Sequence, residues 1–167
     1  MENVERTVSM GIYSGAEVFQ IAKELEEAGR VFYETLAEKS ADRGLADLCR
    51  ELAVQEADHY RKFKRMGEEL VERPASRPLT WDELNFAQIL IEERVLSDPD
   101  AARDAAASGD VAALLETAIR LEKDSVLFYN ELLPEVDEKD APAVREIIEE
   151  EKRHVRSLVE AKRVLKA

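Results

Sequence analysis

Cysteine is almost missing from this chain, with Cys49 the single example in 167 residues. No internal disulfide can form, and no CxxC pair exists to hold zinc or a rubredoxin-type iron centre. Glycine (6), proline (5) and aromatic residues (6%) are also sparse, and no glycine-rich loop is present to cradle a phosphate. No apolar run approaches the roughly 20 residues that span a bilayer. The first residues lack a basic start followed by an apolar stretch, so neither a secretory signal nor a membrane partner is expected, and a reducing cytoplasm is the expected location. Basic residues are outnumbered, 24 Lys and Arg against 37 Asp and Glu, for a formal net charge of -13. A surface of that sign repels phosphate backbones, which argues against nucleic acid as a partner.

What remains is rich in Ala, Leu, Glu, Lys and Arg, the residues of helices. Apolar positions recur at helical spacing through Val18, Ile21, Leu25, Gly29, Phe32 and Leu36, behind a capping-box pair, Ser14 and Glu17. That helix should end near Ser40. A second stripe runs Leu45, Leu48, Leu52, Tyr60, Phe63, Met66 and Leu70, and the prolines at 74 and 78 break it. Thr80 and Glu83 mark a shorter helix to about Leu96, and residues 100–107 form one more short piece. Asp110 is the expected N-cap of a third long helix, with Val111, Leu114, Leu115, Ala118, Leu121, Ser125, Phe128 and Leu132 on its stripe. After a turn over 134–140, the fourth carries Val144, Ile147, Ile148, Val155, Leu158 and Leu165. The expected architecture is all-α and a single domain over 1–167. It comprises an N-terminal arm (1–13), two antiparallel hairpins and a long helical crossover (73–109) that lets the second and third long helices lie parallel.

The halves repeat. With Phe32-Tyr33 set against Phe128-Tyr129, Ala22 meets Ala118, Leu25 meets Leu121, Glu26 meets Glu122 and Leu36 meets Leu132. After a one-residue slip in the turn, Glu56 and His59 meet Glu151 and His154. Both histidines of the chain thus stand in Glu-x-x-His, a spacing that puts carboxylate and imidazole on one helix face. Glu26, Glu56, Glu122 and Glu151 all fall in or beside the apolar stripes, so they point inward if the stripes do. Glu24 and Glu27 are neighbours that could replace Glu26, but only Glu26 keeps the repeat register.

Four ionised carboxylates in a core would repel one another, and each buried ion costs several kcal/mol even after relaxation. No Lys or Arg occupies the stripes at these levels. Two divalent metals would bring the charge to zero with both histidines neutral, and carboxylate with imidazole suits iron or manganese better than a soft-ligand metal. Gln55 and Glu150, which precede Glu56 and Glu151, could orient a histidine or lie on the surface. Tyr33 and Tyr129 could be ordinary core residues. Arg61 to Arg65 reads as a solvated face, and Cys49 as core filler.

The order Glu26 with Tyr33, Glu56 with His59, Glu122 with Tyr129, Glu151 with His154 resembles the rubrerythrin branch of the ferritin-like superfamily. The match extends over about residues 16–162. The resemblance implies a ferritin-like four-helix bundle with two iron ions, manganese or a mixed pair being the variants. It implies Glu56 and Glu151 as bridging ligands, Glu26 and Glu122 as terminal ligands, and one nitrogen each from His59 and His154. It implies Tyr33 and Tyr129 near the site, hydrogen-bonded to carboxylates. The implied chemistry is reduction of hydrogen peroxide or dioxygen. A homodimer is the expected assembly, since no sequence feature demands a large shell. Two features depart from that pattern. There is no four-cysteine rubredoxin domain, so electrons must come from a separate donor such as a rubredoxin. Ser125, and Gly29 in the first half, stand where a further glutamate would be, and the resulting six-donor set also resembles ferroxidase centres. Non-enzymatic handling or storage of iron or manganese is the alternative.

Overall fold

A computed structural model describes residues 15–71, 99–108 and 110–166. The expectations for Ser14, the N-terminal arm, the helix after Thr80 and most of the crossover lie outside the described residues. Helix α1 spans Gly15–Lys39, α2 Arg43–Val71, α3 Pro99–Ser108, α4 Val111–Leu132 and α5 Ala141–Lys166, with a single 3-10 turn at Leu133–Glu135. No strand occurs among the described residues.

The helix starts follow from local chemistry. Asp110 has extended backbone and its carboxylate accepts the Ala113 N–H at 2.9 Å, satisfying one of the donors that a helix start leaves open. Asp42 does the same for Leu45 at 2.7 Å and starts α2 only three residues after α1 ends. A link that short forces α1 and α2 into an antiparallel hairpin, and Phe19 meets Phe63 while Gly29 lies against Glu56.

Contacts between hairpins give the remaining directions. Tyr33 reaches Glu122 and Tyr129 reaches Glu26, so α1 and α4 run oppositely. Gln55 pairs with His154 and His59 with Glu150, so α2 and α5 also run oppositely. It follows that α2 and α4 are parallel, as the length of the crossover allows. The short α3 packs on α1 and buries Ala102 and Ala106.

The core is two apolar clusters with a polar layer between them. One contains Phe32, Leu36, Leu45, Cys49, Leu52, Leu115 and Leu158, and the other Phe19, Phe63, Met66, Phe128, Leu132, Val144 and Ile147. On each long helix the chain leaves one cluster and enters the other through a short interval. Those intervals hold Glu26 on α1, Glu56 and His59 on α2, Glu122 and Ser125 on α4, and Glu151 and His154 on α5. Two stripe residues are exposed, Val111 at 38% and Leu165 at 41%, because they sit at the first turn of α4 and the last of α5, at the end of the bundle.

Candidate metal centre

Each long helix delivers its polar residues to the same level of the bundle. Glu26, Glu56, His59, Glu122, Glu151 and His154 are all at most 2% exposed. Glu27, by contrast, is drawn outward by Arg30 in a 2.6 Å ion pair, and Glu24 is exposed, which decides for Glu26 on α1.

The six side chains form two overlapping sets. Glu26, Glu56, His59 and Glu151 each offer one donor atom within 4.8 Å of the others, and Glu56, Glu122, Glu151 and His154 do likewise. Glu56 and Glu151 belong to both. Glu151 shows how: its Oε1 lies 2.7 Å from His59 Nδ1 and its Oε2 lies 3.0 Å from His154 Nδ1, so one carboxylate faces both halves. The imidazoles lie nearly parallel, 19° apart in plane, with ring centres separated by 5.8 Å.

These contacts are close but misdirected. Glu26 Oε2, Glu56 Oε1, Glu122 Oε2, both Glu151 oxygens and Nδ1 of both histidines are buried without a hydrogen-bond partner. Buried polar groups in folded proteins are nearly always satisfied, because an unmade bond costs about 1–3 kcal/mol per group. Seven orphaned atoms converging on one place are the arrangement expected of metal donors. Both histidines and the two unshared glutamates are engaged on their far sides. His59 donates its Nε2–H to Glu150 Oε2 at 2.6 Å, and His154 donates to Gln55 Oε1 at 2.5 Å. The Tyr33 hydroxyl donates to Glu122 Oε1 and the Tyr129 hydroxyl to Glu26 Oε1. Outer bonds of this kind fix which nitrogen is free to bind a metal, here Nδ1.

Protonation gives the same picture from the other side. Burial, then the charges of Glu151 and Glu26, holds the Glu56 carboxyl well above its ordinary range. Burial with Glu122 and Glu26 pushes Glu151 up to about 8. Burial opposes a charged ring at His59, but Glu26 and Glu151 outweigh it and raise it to about 12; His154 is raised likewise, against burial, by Glu122, Glu151 and Glu56. At Glu122 burial is outweighed by the nearby Glu151, His154 and Tyr33, and the carboxyl is lowered. Without metal, then, the layer holds protons where dications would sit. Protons can balance the charge, but they leave the seven atoms misdirected. Two dications would satisfy both charge and direction.

Neither a family model nor a curated protein matches the chain. A solved structure does. It is a crystal structure from Thermotoga maritima, described as a ferritin-like diiron-carboxylate protein, 29% identical over 90% of this chain and 95% of its own, with a TM-score of 0.67. The fold is ferritin-like. In this ferritin-like bundle all eight residues singled out from the sequence come together: the six donors in one layer, with Tyr33 and Tyr129 fully buried beside it.

Gln55 and Glu150 are the functional residues that sequence reasoning left undecided between site and surface. Their signal was positional, since both directly precede a glutamate of the layer, but only packed helices reveal that each reaches the opposite hairpin's histidine. Gly29 gains a role too. A Cβ there would lie 3.2 Å from Glu56 Oε2, so its absence makes room for the shared carboxylate. Arg61 and Arg65 are solvated, and Cys49 is buried core with its thiol pushed up to about 12, chiefly by burial. No described helix is long and apolar enough to cross a membrane.

Proposed function

We propose that this chain is a di-iron carboxylate oxidoreductase of the rubrerythrin type, reducing hydrogen peroxide or dioxygen with electrons from a separate donor protein. The observation that carries the reading is the convergence of seven unpartnered donor atoms from four carboxylates and two imidazoles. Their charges sum to neutrality with two dications, and the oxygen-rich set with one imidazole per position suits iron or manganese better than a soft-ligand metal. Two ferrous ions bound there would supply the electrons for reducing the oxidant.

The chain's own residues supply the rest. Glu56 and Glu151 tie the two positions together, while Glu26 with His59 and Glu122 with His154 complete one position each. Tyr33 and Tyr129 have their hydroxyl groups held well above the usual range, by burial first and then by Glu122 and Glu26 respectively. They stay protonated and hold a proton against a carboxylate on each side of the layer. The apolar clusters above and below exclude water from the bundle axis. A cytoplasmic homodimer taking electrons from a rubredoxin-like partner is the biological setting of this proposal. Its test is to add peroxide to protein loaded anaerobically with ferrous ion. Oxidation much faster than that of free ferrous ion is expected, and an equal rate counts against the proposal.

A second reading, iron handling of the ferroxidase kind, draws support from Gly29 and Ser125. Neither offers a fifth carboxylate, and the donor set stays at six. Turnover of many ferrous ions per chain, with dioxygen as the preferred oxidant, would favour it.

A further inference from the structure

The two halves of the centre repeat in their donors but differ in what holds their imidazoles. His59 is held by Glu150 and His154 by Gln55, at 2.6 and 2.5 Å. Gln55 and Glu150 occupy equivalent places in the repeat, each one residue before a shared glutamate. One ring is therefore bonded to a carboxylate and the other to a neutral carboxamide. Lys62 and Arg153 approach Glu150 at 3.8 and 3.3 Å; they anchor that carboxylate without taking it from His59. Gln55 and Glu150 also line a pocket of about 230 Å³ between α2 and α5, and neither belongs to the apolar clusters.

An imidazole whose outer N–H is bonded to an anion carries more electron density on its inner nitrogen and is the stronger metal donor. On both rings the inner nitrogen is Nδ1. We propose that Glu150 makes the Glu26–His59 half the tighter dication position and Gln55 makes the Glu122–His154 half the weaker, so that the centre fills in a fixed order. The inference rests on the di-metal reading and deepens it. Glu150 and Gln55 act as positioning residues, through the histidines.

Co(II) alone is the probe, competed against a chromophoric chelator. The variant His154→Ala keeps the Glu26–His59 half intact, and His59→Ala keeps the other. The first should bind Co(II) about tenfold or more tightly than the second. Adding Glu150→Gln to His154→Ala should lower that affinity by a similar factor. Adding Gln55→Glu to His59→Ala should raise affinity, a gain that lost packing cannot produce. In the intact donor set, the charge-conserving exchange Gln55→Glu with Glu150→Gln should keep tight first binding but make it depend on His154 instead of His59. Equal affinities of the two halves, unmoved by the substitutions at Gln55 and Glu150, would overturn this inference and leave the di-metal reading standing. Wild-type protein that binds no Co(II) would overturn both.

Discussion

Glu151 and Glu26 are both buried carboxylates of one layer, yet their loss should have different consequences. Glu151 presents an oxygen to each histidine, whereas Glu26 belongs to one donor set alone. Replacing Glu26 with the isosteric Gln removes one charge from one position. The other position keeps its four donors, and His59 can take up a proton beside Glu151 to restore balance. Replacing Glu151 with Gln removes a carboxylate donor from both positions at once. Either variant leaves three carboxylates in the dry layer, but in Glu151→Gln neither position keeps its four charged or imidazole donors. Removing one partner of a buried charge pair costs about 3–5 kcal/mol, which is a factor on the order of 10² to 10³ or more in affinity. Dialysis against a chelator matched to the wild-type affinity, followed by elemental analysis, should find two metals per chain in the wild type, one in Glu26→Gln and none in Glu151→Gln. The remaining ion in Glu26→Gln should be lost on further change of His154 but not of His59. Equal stoichiometry in Glu26→Gln and Glu151→Gln would refute the shared-carboxylate geometry.

Metal-free protein should lose stability as pH rises from about 4.5, the ordinary carboxylate value, through about 8. Glu151 and Glu56 have folded-state pKa values raised above the unfolded ones, so their contribution is fully present below the unfolded value and is lost on passing the folded one. The raised histidines add the same sign above their ordinary value of 6.5. Metal-loaded protein should show the opposite slope, since protons compete for the same atoms, and thermal melts with and without chelator across that range would reveal it. Tyr33→Phe should leave a Glu122 oxygen without its donor and destabilise the metal-free fold by about 1.5–3 kcal/mol, read by denaturant titration, with metal stoichiometry kept at two. Gly29→Ala should split its effects. Better helix propensity, worth up to about 1 kcal/mol, should hold or raise metal-free stability, while the new Cβ at 3.2 Å from Glu56 lowers metal affinity. A rise in metal affinity would contradict the crowding argument.

The donor layer was legible because charge and periodicity disagree there. Glu56 and Glu151 stand where a core helix wants an apolar residue, and the repeat places both histidines identically. Tyr33 and Tyr129 were legible only by resemblance, since a tyrosine on an apolar stripe is equally suited to plain packing. Gln55 and Glu150 stayed undecided because a polar residue next to the stripe is the usual occupant of a solvated flank. Which flank faces a neighbouring helix depends on crossing geometry that helical spacing does not encode. Val111 and Leu165 erred in the opposite direction: periodicity extends a stripe to the helix end, whereas burial fades toward the end of the bundle.

Every outer bond of the layer crosses between hairpins: Tyr33 to Glu122, Tyr129 to Glu26, His59 to Glu150 and His154 to Gln55. Neither half of the chain can orient its own donors. Separately made halves should therefore stay metal-poor until mixed, and a chain of roughly half this length could raise the same centre by pairing with its twin. A fused pair of such halves is free to differ between its two sides, as Gln55 and Glu150 do here.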